Sequence, residues 1–477
     1  MTESRKPARK AASKIVPPMS VDTDAIPVVA LDLQEGREIP RKQVWSWAMW
    51  DWATQPFNTV ILTFVFTSLY LTSANFIDPE LAALPESDPG RKAALAELSS
   101  IFGLATTLAG LLIAFIAPVL AQRADAAGKR KRWLLIYSTG LILSMAALWA
   151  VEAAPGYFLL GIALVCLGSI FSDLASVNYN AMVVQVATPK TVGKVSGLGW
   201  GLGYIGGILA MAIVVVLDTF NWFGMDVSNG LAYRWIAVGC AVWGAIFLIP
   251  LIRNVPEIEP RPGYQRVSIL ESYRVLGRSI MMLWRNARQT FWFLIASAVY
   301  RDGLAGIFAF GAIIAAQAFG FSTTQVIIFG IAANLVAGLS TIIAGRIDDA
   351  VGPRAVIMFT LGGMIVAATA VFALADLGAI VFWAFGLFLC CLVGPAQSAS
   401  RSLLARVTPA NMEGEVFGLY ATTGRVANFM SSALWALFIW ITKDTIFGIL
   451  GIVVVLLAGF LLMLPVKLGG RDKAAAQ

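Results

Sequence analysis

The sequence predicts an all-α polytopic membrane protein of twelve transmembrane helices, arranged as six plus six. Three observations lead there. Of 477 residues, 58% are hydrophobic and only 13% charged, with a mean hydropathy of +0.77; a soluble chain carries about 25% charged residues. The apolar residues are gathered into runs long enough to cross a bilayer as helices, and the alternating pattern of a membrane barrel strand is absent. Finally, two loop motifs of the first half recur in the second half at nearly one offset.

The runs place spans 1 to 6 at about 44–73, 96–122, 132–152, 156–186, 192–217 and 231–252. Spans 7 to 12 follow at about 289–318, 322–347, 354–375, 378–406, 414–441 and 444–466. This divides the chain into a disordered tail (1–44), an N-terminal six-helix bundle (45–252), a linker (253–288), a C-terminal bundle (289–466) and a short tail (467–477). The basic residues orient it. The N-tail, the Lys129–Arg132 run, the linker (Arg253, Arg261, Arg266, Arg274, Arg278, Arg285, Arg288) and the C-tail (Lys467, Arg471, Lys473) fall on one side. The other side offers little beyond Arg91, Lys92, Arg234 and Lys443. By the positive-inside rule both termini are cytoplasmic, in a multi-pass protein of the cell (inner) membrane.

The linker has its own pattern. Ile269, Tyr273, Leu276, Ile280, Leu283 and Ala287 share one helical face, and Arg274, Arg278 and Arg285 lie on another. That is a basic amphipathic helix at the membrane interface, in preference to a calmodulin-type target.

Charge is distributed unevenly among the spans. The cores of spans 3, 6, 9 and 12 hold no Asp, Glu, Lys or Arg. Span 1 carries Asp51, span 4 Asp173, span 7 Arg301 and Asp302, and span 11 Arg425. A charge-free helix can face lipid, whereas a charged one must face protein or water. Spans 1, 4, 7 and 11 are therefore expected to line an interior path. In span 1, Asp51, Gln55 and Asn58 are spaced i, i+4, i+7 and share a face, with Pro56 expected to bend the helix. Asn178 and Asn180 in span 4, and Gln397, Ser398, Ser400 and Arg401 in span 10, add polar groups. The competing reading is an ion pair, for example Asp173 with Arg425, that only joins helices.

The repeats are specific. Ala121, Asp125, Gly128 and Arg130 after span 2 are matched by Gly345, Asp349, Gly352 and Arg354 after span 8, at one constant offset. Gly193, Val195, Gly197, Leu198 and Gly203 are matched by Gly414, Val416, Gly418, Leu419 and Gly424. Duplicated halves about a midplane site are the plan of a rocking transporter. The small-x-x-x-Asp-x-x-Gly-x-Arg loops in a six-plus-six layout resemble the major facilitator superfamily. Four stretches resemble, more narrowly, the autophagy-related vacuolar amino-acid effluxer family and its bacterial relatives: WAMWDWATQPFNTVILTFVF; NYNAMVVQVATP with KVSGLGWGLGYIGG; YRDG with FSTTQVIIFG; and SRSLLARVTP with GEVFGLYATTGR. The resemblance runs from about residue 45 to 466. It implies a major facilitator-type fold, amino-acid-like solutes, export, and loops that latch the outward-open state through Asp125 and Asp349. Ala121 stands where the family has Gly, which implies a looser helix approach there.

Other chemistry is excluded or unsupported. The chain has no histidine, so a coupling proton must ride on Asp51, Asp173 or Asp302. Asp51, with no cation near it in sequence, is the expected carrier. Arg425 is expected to take a solute carboxylate and Asp302 or Asp51 its ammonium. The four cysteines sit in apolar runs without metal-ligand spacing. GLGYIG (201–206) matches a dinucleotide fingerprint but lies within a span, where Gly199, Gly203 and Gly207 serve close helix packing instead. No nucleophile–base constellation points to an enzyme. The net charge of +7 belongs to membrane-flanking loops, not to a nucleic-acid surface. The expectation is an alternating-access secondary transporter without cofactor or metal, acting as a monomer in the lipid bilayer, with a small solute and protons as partners. Sugar, nucleoside or drug transport on the same fold stays open, and a lipid scramblase or non-transporting receptor is the reading of another class.

Overall fold

The computed structural model describes residues 29–466 apart from 86–87, 225–228 and 258–267. The tail expectations for 1–28 and 467–477, and Arg261 and Arg266, lie outside the described residues. Eleven of the described helices are long and apolar enough to cross a membrane. They are spans 2 to 6 (Pro89–Ala126, Arg130–Ala150, Pro155–Val186, Val192–Thr219, Leu231–Asn254) and spans 7 to 12 (Arg288–Gln317, Ile328–Val351, Pro353–Ala373, Ala379–Val407, Glu413–Thr442, Thr445–Met463).

Span 1 is the twelfth, and it is not a continuous α-helix. An α-helical part, Arg41–Pro56, gives way at Pro56 to wider π-turns over Phe57–Phe64 and Phe66–Leu71, interrupted at Val65. Proline removes a backbone donor from the ladder, and π-turns accommodate such a defect. Span 11 is broken as well, into Glu413–Ala427 and Met430–Thr442.

Within the first half, span 1 lies along spans 5 and 6, and span 3 along span 4. Within the second, span 10 lies along spans 8 and 9, and span 12 along spans 7 and 11. Two long contacts join the halves: span 5 with span 8, and span 2 with span 11. Glycines permit both. A Cβ on Gly197 would lie 2.7 Å from the Thr341 carbonyl oxygen, and one on Gly418 2.6 Å from the Cα of Pro118. Pro118 also leaves the Ala114 carbonyl without its helical donor, and the Thr422 hydroxyl of span 11 donates to it at 2.9 Å.

The charge-free spans carry much of the exposed apolar surface, with Leu143, Val242, Ile246, Phe359, Val366 and Leu461 each largely uncovered. Lipid-facing helices require such a surface. Ahead of span 1, inside the predicted tail, Ala30–Gln34 forms a 3-10 turn. The Ala30 N–H donates to the Thr408 carbonyl at 3.0 Å, and Ala30 and Leu31 are buried.

Candidate functional site

The tryptophan-rich start of span 1 builds one wall of the site. Trp47 and Trp50 stack on Tyr179 of span 4, with centroids 4.4 and 4.3 Å apart. Their indole N–H groups donate to the Tyr179 carbonyl (3.1 Å) and the Ser138 hydroxyl (2.9 Å). Between these aromatics the polar face of span 1 divides. Asp51 and Gln55 pack against span 5, where a Cβ on Gly203 would sit 3.3 Å from that of Asp51, and one on Gly207 2.9 Å from Gln55 Cγ. Gly199 opens instead onto the Tyr179 hydroxyl and Arg401. Asn58 turns to a small pocket shared with Thr106, Ser169, Ser172, Asp173 and Arg425.

Arg401 is the counter-charge of Asp51. It comes from span 10, yet all its partners named here belong to the first half. Its Nη1 lies 3.6 Å from Asp51 Oδ2 and donates to Asn180 Oδ1 at 2.9 Å. Its Nε donates to the Ser196 hydroxyl (2.9 Å) and its Nη2 to the Ser196 carbonyl (2.6 Å). The rings of Trp47, Tyr179 and Trp200 surround its guanidinium at 5.0, 5.4 and 5.7 Å. Five donors held in a plane suit an arginine to this many partners at once. Tyr204 of span 5 and Gln397 of span 10 add a hydrogen bond of 2.9 Å between the halves.

The Asp173–Arg425 ion pair also joins the halves. Unlike Arg401, which is 3% exposed, its side chains remain 28% and 38% exposed in the pocket. Arg301 donates to the Tyr420 carbonyl at 2.9 Å and lies 3.8 Å above the Tyr420 ring. Asp302 is buried and absent from the pocket wall described above. Its carboxylate accepts from the Ser431 N–H at 2.6 Å, which caps the second segment of span 11 beyond the break. Asn178 bonds within its own helix, to the Leu174 carbonyl at 2.9 Å.

The repeated loops meet at one end of the molecule. Asp349 accepts from the N–H groups of Gly193 and Lys194, at 2.8 Å each, at the start of span 5. Asp125 accepts from the Gly414 N–H at the start of span 11. Anions at helix N-termini are stabilised by free N–H groups and by the helix dipole. Around Asp125, the buried Arg130 bonds Asp125 (2.6 Å) and Glu413 (3.2 Å). Around Asp349 that place is taken by Arg406, 3.2 Å from Asp349 and 3.5 Å from Asp348. Arg354, the sequence counterpart of Arg130, donates to the Leu464 carbonyl at 2.9 Å instead. Gly128 ends span 2 at a φ of +60°, and Gly352 ends span 8 at +90°, conformations that favour glycine. Gly345 faces Gly193, whose carbonyl oxygen would be 2.6 Å from an added Cβ.

A family model described as "Vacuole effluxer Atg22 like" matches residues 40–476. The chain belongs to that family. It is 24% identical over 429 residues to the uncharacterized MFS-type transporter YxiO of Bacillus subtilis (strain 168), covering 88% of this chain and 94% of the relative. Autophagy-related protein 22 of Cryptococcus neoformans (strain B-3501A) is 21% identical over 306 residues, covering 59% of this chain and 53% of the fungal protein. The proton:xylose symporter XylE shares the fold with a TM-score of 0.69 at 14% identity, over 89% of this chain and 95% of that one. FucP in its outward conformation does so with a TM-score of 0.66 at 10% identity, over 90% and 98%. The fold is that of the major facilitator superfamily, and this Atg22-like chain is an MFS-type transporter, a multi-pass membrane protein. Solved transporters of this fold include symporters of small sugars with protons.

Some contacts of this site are not legible in the sequence. Arg401 was visible as a charge in span 10, but its contact with Asp51 is long-range. Glu413, Asp348 and Arg406 sit beside motif positions without being repeated in the other half.

Proposed function

We propose that this transporter moves small zwitterionic solutes of the amino-acid type, as an exporter of the inner membrane with both termini in the cytoplasm. The observation that carries the reading is the Asp173–Arg425 pair, half-open in a pocket between the halves. A zwitterion offers each member a replacement partner: its carboxylate for Arg425, by paired hydrogen bonds, and its ammonium for Asp173. An uncharged solute would leave two partly desolvated charges to separate without compensation. Family membership supports the same solute class. Loading then exchanges one ion pair for two, and the halves rock about the loaded site.

Proton coupling falls to Asp51. The sequence placed no cation beside it, but the fold brings Arg401 to 3.6 Å. Protonation of Asp51 would dissolve that pair and loosen one bond between the halves, which links the proton to the rocking step.

The experiment is a binding comparison of a neutral amino acid with its methyl ester, on wild type and on Arg425→Lys. The free acid is expected to bind wild type at least about tenfold more tightly, the worth of a charge-assisted hydrogen bond of 1.5–3 kcal/mol. Lysine, a point charge without the planar fork, is expected to lose most of that discrimination. Equal binding of acid and ester to wild type would refute the zwitterion reading.

A further inference from the structure

The linker helix Ile269–Asn286 has three faces rather than two. Ser272, Leu276 and Leu283 are buried against the bundle. About 100° per residue separates successive side chains, which sets a second stripe beside the first: Leu270, Tyr273, Ile280, Met281 and Trp284. All five are exposed, Leu270 by 70% and Met281 by 50%. The third stripe, next to the second, holds Arg274, Arg278 and Arg285, which are exposed as well. Only part of the apolar surface that the periodicity predicted is therefore used by the protein. Tyr273 and Ile280, which the sequence pattern groups with Leu276 and Leu283, are exposed where those two are buried.

The helix also bridges the two halves. It leads directly into span 7 and reaches across to span 2. There the Tyr273 hydroxyl donates to the Phe115 carbonyl at 3.2 Å, and Arg123 Nη1 lies 3.5 Å from the Ser272 hydroxyl. Arg123 is two residues from Asp125, so this bridge sits beside one of the two loop contacts that close this end of the molecule.

We propose that this helix docks on the anionic membrane leaflet, with Leu270, Tyr273, Ile280, Met281 and Trp284 entering the interface and Arg274, Arg278 and Arg285 holding acidic lipid headgroups, and that the docked helix favours closure of spans 2 and 7 at the latched end. An apolar stripe flanked by arginines is the pattern of an interfacial helix. The charge complementarity selects acidic over zwitterionic lipid, with each arginine worth roughly a fivefold preference near an acidic surface. A helix held flat on the leaflet keeps its reach to span 2, which is available only while spans 2 and 7 lie close at this end.

The test uses the full-length protein in vesicles of phosphatidylcholine with and without phosphatidylglycerol. A nitroxide at Met281→Cys, with the native cysteines replaced, reports the depth of the stripe through oxygen and water-soluble nickel accessibility. A spin-label pair on the latched ends of spans 2 and 7 reports closure. Expected are a Met281 probe that oxygen reaches and nickel does not, and a closed fraction that rises with phosphatidylglycerol. The rise should be lost in Arg274→Gln/Arg278→Gln/Arg285→Gln. Raising the salt concentration should suppress it in the protein with its arginines intact, which tests the charge term even if the triple variant folds poorly. A nickel-accessible Met281 probe would overturn the docking, leaving the stripe as a surface for a soluble partner. A closed fraction indifferent to phosphatidylglycerol, or a dependence that survives both the triple variant and high salt, would overturn the lipid coupling.

Discussion

The carboxylate of Asp349 in span 8 takes the backbone N–H of Gly193 in span 5 at 2.8 Å, and the carboxylate of Asp125 in span 2 takes that of Gly414 in span 11. Asp125 and Asp349 are equivalent in the duplication, and so are Gly193 and Gly414. Each half thus offers its acidic loop to the helix start that the other half offers in return. Both bonds lie at the end where the loop motifs cluster, and both join one half to the other.

Replacing either aspartate by asparagine should weaken closure. A charge-assisted bond contributes roughly 1.5–3 kcal/mol, which changes the ratio of two balanced states by more than tenfold. Asp125→Asn and Asp349→Asn are each expected to raise the accessibility of cysteines placed inside the latched end, and the double variant further still. Unchanged labelling in all three would reduce the loops to determinants of topology.

Asp51→Asn should abolish uphill transport driven by a proton gradient and spare counterflow, which exchanges solute without net proton movement. Asparagine imitates the protonated carboxyl next to Arg401. Uphill transport that persists in Asp51→Asn would remove Asp51 as the carrier.

Asp302 offers a contrast. Asp302→Ala leaves the Ser431 N–H without an acceptor inside the protein, a loss of about 1–3 kcal/mol, so thermal stability should fall. The affinity ratio of amino acid to ester should stay as in wild type. A changed ratio in a folded variant would bring Asp302 back into contact with solute.

Glycines in the spans divide by their surroundings. Gly207→Val would drive a Cβ to 2.5 Å from Thr59 Oγ1. The overpacking should destabilise the seam of spans 1 and 5 by about 1–3 kcal/mol. Gly239 has nothing within 4 Å of an added Cβ, and Gly239→Ala should be neutral or stabilising by about 0.5–1 kcal/mol. Thermal unfolding of the two variants in detergent compares them directly.

Much of this was legible in the chain. Apolar runs locate spans because a bilayer demands long, internally bonded helices. The repeat exposed Asp125, Asp349, Gly193 and Gly414 as special positions, since duplication repeats residue types that local composition does not require. Pairing across the halves was not legible. Asp51 and Arg401 lie far apart in sequence, and nothing local says that span 10 reaches into the first half. The partner of Asp302 was not legible for a related reason. A carboxylate inside a span signals expense, but the same sign marks a solute site and a capped helix break. The break at Asn428 and Phe429 lacks a proline to announce it.

The crossed bonds also carry a history. An interface in which residue i of one body meets residue j of the other, and j meets i in return, is what a two-fold symmetric dimer must contain. A six-span ancestor pairing with a second copy of itself would have made the Asp–Gly contact twice from a single pair of mutations. Fusion of two such genes would free each copy to drift. The cations of the seam are not alike: Arg130 bonds Asp125, whereas at Asp349 that place is held by Arg406, and Arg354 bonds the Leu464 carbonyl.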